Sequence, residues 1–351
     1  MNRLVEISTV DDQVVVDYSG QQICVSCVLP ESFPDLTFDA SGRCSYCRDE
    51  TERVTNSAAT LDEAVAAARS ATEGLASDYD CILLYSGGKD SSLALVELVR
   101  KRRMRVLAVT LDNGFLAAAT AHNMRTMLDA VGADHIVVRP QKQLMGGIYR
   151  SALTKDFGTE TIKYSTAACG SCIGVVFAVG MRMAQAFTVP LLAGGWTPGQ
   201  MTTSAFVPTE FLHRVVDSNL DPVEFTDEVL AAGLRNLRAA SGKFPIGLIN
   251  PLYASDYRED EIVDTLAGFG WRPPKGTDSC STNCRLNGLL IVEHLKRHGY
   301  HPYAYELSHH VRLGALSREQ ALEKLRHLRL TPASVGAVAV ELGIPSPLWP
   351  R

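Results

Sequence analysis

Tyr85-Ser86-Gly87-Gly88-Lys89-Asp90-Ser91-Ser92 is the stretch that decides the fold of this 351-residue chain. It follows an apolar run, residues 81–84, and opens a segment from Leu93 to Val99 whose apolar residues recur at helical spacing. This pattern predicts a strand, a tight turn with a glycine pair, and a helix. The glycines let backbone N–H groups converge on one point, and the helix N-terminus adds the positive end of its dipole. Such a turn is suited to bind phosphate.

The turn differs from the common nucleotide-binding pattern G-x-x-x-x-G-K-[ST]. Leu83 stands where that pattern has its first glycine, and Asp90 follows Lys89 where the pattern has Ser or Thr. Residues 86–91 instead resemble the S-G-G-x-D-S signature of the PP-loop ATP pyrophosphatases; the alternative is an ordinary glycine-rich turn with capping serines. The resemblance implies an enzyme that splits ATP between its α- and β-phosphates. It attaches AMP to a substrate carbonyl oxygen, and a nitrogen or sulfur nucleophile then displaces the AMP.

The resemblance implies a site for ATP and Mg²⁺. Backbone N–H groups and serine hydroxyls would bind the pyrophosphate, Lys89 would neutralise phosphate charge, and Asp90 would hold Mg²⁺, which prefers carboxylate and phosphate oxygens. Asp112 is either a ribose or metal contact or the acid of an Asx turn. The residues expected at the nucleotide are Ser86, Gly87, Gly88, Lys89, Asp90, Ser91, Ser92, Asp112, Gly194 and Gly195.

Strand-like and helix-like segments alternate around the turn. The predicted strands are 80–85, 106–110, 136–138 and 189–193, and the predicted helices between them include 90–102 and 116–131. This alternation predicts an α/β fold with a doubly wound parallel sheet, as the PP-loop resemblance also implies. Ligands of such sheets bind at the carboxyl ends of the strands. Three of these ends carry unusual residues, namely Ser86-Gly87-Gly88, Asp112-Asn113-Gly114 and Gly194-Gly195-Trp196.

We expect three parts of the chain: an N-terminal zinc-knuckle module (1–55), the ATP-binding α/β domain (56–245), and a helical C-terminal substrate or partner module (246–351). Prolines punctuate the chain beyond about residue 245. Helices are predicted there at 283–298, 316–328 and 333–342. His309 and His310 are expected at the surface.

Four of the nine cysteines form two C-x2-C pairs separated by sixteen residues. This spacing predicts a structural zinc site, because two such pairs can place four thiolates around one ion. The predicted ligands are Cys24, Cys27, Cys44 and Cys47. Cys81, in an apolar strand, is expected to be a small buried residue.

A second cysteine set has three open interpretations. It comprises Cys169, Cys172, Cys280 and Cys284. It could bind a second zinc, hold a [4Fe–4S] cluster through three cysteines, or relay a persulfide through a thiolate whose pKa is lowered at a helix N-terminus. We favour the two chemical interpretations, since Cys169 and Cys172 should lie near the strand ends that bind ATP. These four cysteines and Asp90 are the candidate catalytic residues.

The composition is that of an ordinary soluble enzyme, with 46% hydrophobic and 21% charged residues. The net charge of −5 gives no sign of the broad basic surface typical of tRNA-binding proteins, so a small or nucleotide-linked acceptor is favoured over tRNA. The longest apolar run, residues 173–181, is too short to span a bilayer, and we expect a cytoplasmic protein. The oligomeric state is left open.

Two further resemblances differ in the nucleophile. The N-terminal cysteines, Leu111–Phe115 and Glu306-Leu307-Ser308 are similar to the N-acetyl sugar amidotransferases, a resemblance that implies ammonia from a glutaminase partner and conversion of an acetamido to an acetamidino group. The second cysteine set instead resembles that of the iron–sulfur tRNA thiolases, which replace a base carbonyl oxygen with sulfur and need a sulfur donor.

Our first choice from the sequence is ATP-dependent adenylation followed by sulfur transfer, with the amidotransferase close behind. A non-catalytic ATP or AMP sensor with two zinc sites is the third hypothesis.

Overall fold

The structure, a computed structural model, describes residues 5–49, 57–200, 204–239, 243–254 and 258–344. Its strands are β1 (Glu6–Val10), β2 (Gln13–Asp17), β3 (Cys81–Leu84), β4 (Val106–Leu111), β5 (Asp134–Val138), β6 (Leu191–Ala193), β7 (Phe206–Pro208) and β8 (Gly247–Ile249). Its α-helices are α1 (Ser45–Arg48), α2 (Ser57–Ala71), α3 (Lys89–Val96), α4 (Ala118–Val131), α5 (Lys142–Thr154), α6 (Thr159–Ile162), α7 (Ala167–Ala186), α8 (Thr209–Leu220), α9 (Glu228–Arg238), α10 (Glu259–Ala267), α11 (Leu286–His298), α12 (Ala304–Arg312), α13 (Arg318–Arg326) and α14 (Pro332–Leu342).

The main sheet has six strands in the order β5-β4-β3-β6-β8-β7. β3 pairs in parallel with β4 on one side and with β6 on the other. The chain therefore moves outward from β3 through β4 to β5 and then returns to the opposite side of β3. Doubly wound sheets bind their ligands where the strand order reverses in this way. The predicted fold class is confirmed, and the glycine-rich turn after β3 lies at the reversal point.

One edge of the sheet departs from the all-parallel expectation. β7 runs antiparallel to β8, whereas β8 is parallel to β6. β8 begins at Gly247, so the sheet continues past residue 245, where the sequence placed the start of the helical module. β7 and β8 have three residues each, too few to show a periodic pattern. The proposed boundary at residues 55–56 lies outside the described residues, and the three-part division stays a prediction.

Helices cover both faces of the sheet because successive side chains of each strand point to opposite sides. Ile82 and Leu84 join one apolar cluster, and Cys81 and Leu83 join the other. α7 packs on the first face against α5 and α8. By length and composition this 20-residue helix could cross a membrane, but 61% of it is buried inside the protein. Its apolar character is therefore that of a core helix.

Most predicted helices are confirmed to within a few residues, although α3 ends at Val96 and continues as a π-helical turn to Lys101. The sequence analysis did not predict α8, α9 or α12. The expectation that His309 and His310 lie at the surface is wrong, since they are 2% and 5% exposed. α12 packs on α13 and also lies against Gly199, where an added Cβ would be 2.8 Å from the Cβ of His309.

The N-terminal segment that contains β2 is attached to residues 328–330 by backbone hydrogen bonds. Val14 N donates to Leu330 O (2.8 Å), and Leu328 N donates to Val14 O (3.2 Å). The next contact along this path is Ser279 N to Leu328 O (3.0 Å). Arg318 adds side-chain hydrogen bonds to the carbonyl oxygens of the first cysteine pair. The module with the four N-terminal cysteines is thus connected to the segment that carries Cys280.

Candidate active site

A cavity of about 280 Å³ lies beyond the carboxyl ends of β3 and β6. The turn after β3 contributes Ser86, Gly88, Asp90 and Ser91 to its wall. The second cysteine set contributes Cys169, Cys172, Cys280 and Cys284. The structure therefore brings the glycine-rich turn and all four of these cysteines to one cavity. Strand-end reasoning predicts this for Cys169 and Cys172, whereas the sequence left the approach of Cys280 and Cys284 open.

The turn itself is shaped by Gly87, whose φ of +72° favours glycine. A Cβ there would lie 2.6 Å from the Met124 side chain. The Gly87 carbonyl accepts a hydrogen bond from the buried Trp271 Nε1 at 3.1 Å. This bond holds the turn from the side of the protein interior. On the cavity side, the Ser86 and Ser91 hydroxyls are 3.0 Å apart. The turn thus presents two hydroxyls and the start of α3 to the cavity.

Gly194 and Gly195, at the end of β6, are needed for close approach. A Cβ on Gly195 would lie 2.5 Å from Ser91 Cα and 2.6 Å from Ser91 N, so the β6 loop touches the backbone of the turn. A Cβ on Gly194 would lie 1.9 Å from a ring carbon of Trp196. The glycine pair therefore packs the loop on α3 and leaves room for the indole.

Lys89 and Asp90 form a buried ion pair. Lys89 Nζ lies 3.0 Å and 2.9 Å from the two carboxylate oxygens of Asp90. Lys89 is 5% exposed, whereas Asp90 lines the cavity. The lysine thus holds the carboxylate in place, and Asp90 presents the hard oxygen ligands that Mg²⁺ prefers.

Ser92 and Asp112, which the sequence predicts to contact the nucleotide, do not face the cavity. Ser92 is fully buried, and its Oγ is 3.2 Å from the Tyr85 hydroxyl, so it faces the core rather than the cavity. Asp112 accepts a hydrogen bond from Gly114 N (3.0 Å), which is the Asx-turn alternative. Its other oxygen pairs with Arg139 Nε at 3.1 Å on a separate groove of about 580 Å³.

The segment from Cys280 to Cys284 lies directly over the turn. Lys89 N donates to Thr282 Oγ1 at 3.0 Å. On its other side, Ala117 N donates to Asn283 O and Arg285 N to Phe115 O, both at 2.9 Å. Thr282 could not be predicted as a site residue beyond its position between two cysteines, because its partner is 193 residues away.

Besides burial, which is the main cause, the charges of the nearby Cys284 and Cys172 raise the pKa of the Cys169 thiol, and those two thiols lie beside Asn113. Its Nδ2 lies 3.5 Å from Cys284 Sγ and 3.9 Å from Cys172 Sγ. Cys169 is one helical turn before Cys172 and donates to Asn287 Oδ1 at 3.4 Å. Among the described residues Cys280 has a different neighbour, since its Sγ lies 3.7 Å from Ser279 Oγ. Asn113 and Asn287 are site residues that sequence reasoning did not single out.

The electrostatics of these thiols contradict one expectation. Loss of hydration raises the pKa of all four, to about 11 for Cys172. The lowered pKa expected for a persulfide-carrying thiolate at the start of α7 is therefore wrong. Thiols in such surroundings become thiolates chiefly as metal ligands.

The four N-terminal cysteines form a compact cluster. Their sulfurs pair at 3.9 Å (Cys24–Cys47) and 3.7 Å (Cys27–Cys44). A tetrahedral ion with Zn–S bonds of about 2.3 Å would separate its ligands by about 3.8 Å. Among the described residues, this is the one group of three or more Cys, His or acidic ligand atoms that all lie within 4.8 Å of one another. The expected four-cysteine cluster is confirmed, and its dimensions fit zinc.

No protein-family model matches the chain. It is 21% identical over 319 residues to an uncharacterized protein of Methanocaldococcus jannaschii, with 91% of each chain covered. Similar solved structures include a U34-tRNA thiolase of Methanococcus maripaludis with its [4Fe–4S] cluster (TM-score 0.34, 16% identity, 84% of this chain and 86% of that one). Another is the NH3-dependent NAD synthetase of Campylobacter jejuni (TM-score 0.30, 12% identity, 61% of this chain and 93% of that one).

At this level of similarity the comparisons do not identify the chemistry. One feature of the chain itself bears on it. The signature at 86–91, which resembles that of the PP-loop ATP pyrophosphatases, lies at the reversal point of a doubly wound sheet.

Proposed function

We propose that the chain is an ATP-dependent sulfurtransferase, which activates a carbonyl oxygen of its acceptor with AMP and replaces that oxygen with sulfur. One observation carries the proposal: a single cavity joins the phosphate-binding turn to Cys169, Cys172 and Cys284. Sulfur-handling groups are thereby placed within reach of an acceptor activated at the turn.

The turn and Asp90 serve the first half-reaction. Backbone N–H groups at the start of α3, with the Ser86 and Ser91 hydroxyls, bind the phosphates, and Asp90 holds Mg²⁺. Binding a phosphate at Lys89 N exchanges the Thr282 hydroxyl for a phosphate oxygen, because the two acceptors compete for one donor. The acceptor's carbonyl oxygen then bonds to the α-phosphorus, and pyrophosphate leaves with the electrons of the broken P–O bond.

The cysteines serve the second half-reaction. A sulfur nucleophile at the oxidation level of hydrosulfide attacks the activated carbon, and AMP leaves with the former carbonyl oxygen. Cys169, Cys172 and Cys284 would hold a [4Fe–4S] cluster, which when bound supplies an iron with an open position for sulfur. Asn113 lies close enough to two of the three sulfurs to hydrogen-bond to them.

Zinc at the N-terminal cysteines would be structural, since their sulfurs are buried in their own module. We expect the protein in the cytoplasm, where free thiols are kept reduced. A sulfur donor is the partner that this reaction requires. The acceptor class favoured by the net charge is small or nucleotide-linked.

The test begins with iron, sulfide and zinc content after anaerobic purification of wild type, a Cys169→Ala/Cys172→Ala variant and a Cys81→Ala control. We expect about four iron and four sulfide beside one zinc, with iron and sulfide lost only from the double variant. Cys81 is a matched control because it is buried in β3, away from the cavity.

Turnover is then measured as AMP and pyrophosphate released from ATP and sodium sulfide. The acceptors supplied are a UDP-N-acetylhexosamine and, separately, bulk small RNA. Multiple-turnover release that needs both sulfide and an acceptor supports the proposal, since one pyrophosphate per chain can leave at adenylation before sulfide is needed. Two zinc ions, no iron and release that needs ammonia would replace it with the amidotransferase. No release with either acceptor would refute it.

A further inference from the structure

A side chamber of about 130 Å³ adjoins the main cavity. The two share Cys169, Ile173, Trp196, Gln200, Asn287 and Tyr303 in their walls. Glu306, in the first turn of α12, lines the chamber. This carboxyl has no role in the proposed adenylation and sulfur-transfer steps.

Trp196 forms a fixed wall of the chamber. Its ring packs edge-on against Phe177, with 5.3 Å between the centroids and 66° between the planes. Gly194 lies beneath the indole, where a Cβ would leave it no room. The half-buried indole therefore cannot swing toward Gly194, and its free surface can contact a planar group in the chamber.

Hydrogen bonds fix one oxygen of Glu306. Its Oε1 accepts from Gln200 Nε2 at 2.8 Å and from Thr197 Oγ1 at 3.2 Å. Gln200 is itself held, because its Oε1 accepts from Thr197 N at 3.0 Å. Within the part of the chain that the structure describes, Oε2 accepts no hydrogen bond. The carboxyl is thus oriented through one oxygen and has the other available for a ligand.

We propose that Glu306 is the base that removes an N–H proton from an amide-type acceptor while the acceptor's carbonyl oxygen attacks ATP. An amide oxygen is a weak nucleophile while its nitrogen carries the proton. As Oε2 takes that proton, the N–H electron pair forms a C=N bond and the carbonyl π electrons form the new O–P bond. The bond from phosphorus to pyrophosphate breaks, and pyrophosphate leaves. The proton returns to nitrogen when sulfur has added and AMP departs.

This inference rests on the proposed function and narrows its acceptor to amides and lactams that bear an N–H. A carboxylate or ketone acceptor would have no such proton to lose.

The surroundings of Glu306 suit a base that works near neutral pH. Loss of hydration raises its pKa to about 7, Lys89 opposes this rise, and Asp90 adds to it. The hydrogen bonds from Gln200 and Thr197 lower the pKa slightly. The titratable groups around it are Lys89, Asp90, Tyr164, Cys169, Cys280 and Tyr303. A base whose pKa lies near the working pH transfers protons most effectively.

The test uses Glu306→Gln, which keeps an oxygen for Gln200 and Thr197 but cannot take a proton. Glu293→Gln is the matched control, since Glu293 is a half-buried glutamate of α11 whose pKa is also raised by loss of hydration but which lines neither chamber. The reaction is pyrophosphate release in a single turnover from ATP and the acceptor that supports AMP formation. Sulfide is omitted so that its own titration does not contribute.

We expect Glu306→Gln to slow pyrophosphate release by about 100-fold or more with an unchanged Kd for ATP. We also expect it to lose the rise in rate that wild type and Glu293→Gln show as pH passes about 7. A rate within threefold of wild type, or a retained rise, would overturn the proposal. A weakened Kd for ATP would also overturn it, by showing that Glu306 only positions the loop. Failure of wild type to release pyrophosphate would instead refute the proposed function.

Discussion

Replacing Gly195 with alanine tests whether contact between the β6 loop and the turn sets the nucleotide site. The new Cβ would lie 2.5 Å from Ser91 Cα and 2.8 Å from the carbonyl carbon of Asp90. Carbon atoms prefer about 3.5–4.0 Å, so the two backbones must separate by about 1 Å. No side-chain rotation can relieve this overlap, since the atoms met are backbone. Gly195 is not among the positive-φ glycines, so the alanine tests the contact alone.

Overpacking of this kind costs about 1–3 kcal/mol of unfolding free energy. The effect on turnover should exceed the effect on stability, because a displacement of about 1 Å at reacting groups can cost about 100-fold in rate. We therefore expect Gly195→Ala to remain folded, to bind ATP more weakly and to release pyrophosphate about 100-fold more slowly.

The measurements are urea unfolding, calorimetric titration with ATP and pyrophosphate release. Gly158→Ala is the matched control, because a Cβ there meets no atom within 4 Å. The reasoning would be refuted if Gly195→Ala and Gly158→Ala bound ATP with the same Kd and unfolded at the same urea concentration.

Removing the N-terminal metal with a chelator, or replacing Cys24 and Cys44 together with serine, should release one zinc per chain and lower the unfolding midpoint, as measured by metal analysis and circular dichroism. Cys284→Ala should lose iron and sulfide, whereas Cys280→Ala should retain both, because Cys284 is the thiol beside Asn113 and Cys280 contacts Ser279 instead; equal loss in both would contradict that grouping. Burial lowers the pKa of His301 to about 3, so below about pH 6.5 the unfolded chain gains a proton there that the native state lacks. Protonation of this histidine in the unfolded chain should therefore lower the free energy of unfolding by about 2 kcal/mol between pH 7 and pH 5. In urea unfolding, the decrease between these two pH values should be about 2 kcal/mol smaller for His301→Asn than for wild type.

Local patterns predicted the elements of the nucleotide site. The turn at 86–91 could be recognised because strand, glycine pair, acid and hydroxyls are contiguous. The meeting of Gly195 with that turn followed from a general rule, that parallel strands end at one edge. The four N-terminal cysteines could also be predicted, since two C-x2-C pairs are enough to place four thiolates around one ion.

Features that depend on distant partners were not predictable. The carboxyl of Glu306 meets Gln200 across 106 residues, and no local pattern signals that contact. The separation of Cys280 from its neighbour Cys284 depends on how the segment between them bends over the turn. The burial of His309 arises because α12 folds back onto the loop at Gly199, a contact that single-sequence periodicity does not encode.

The hydrogen-bond path from Val14 through Leu328 to Ser279 has a consequence for the order of folding. β2 leaves the ribosome well before its partners at 328–330, which follow some three hundred residues later. Contacts of such sequence separation form late, because the intervening chain must first be closed into a loop. The segment with Cys280 and Cys284 therefore takes its final position only after residue 330 has been made. A growing chain could load metal on its first four cysteines early, while its second cysteine set stays incomplete until residues 328–330 have been made.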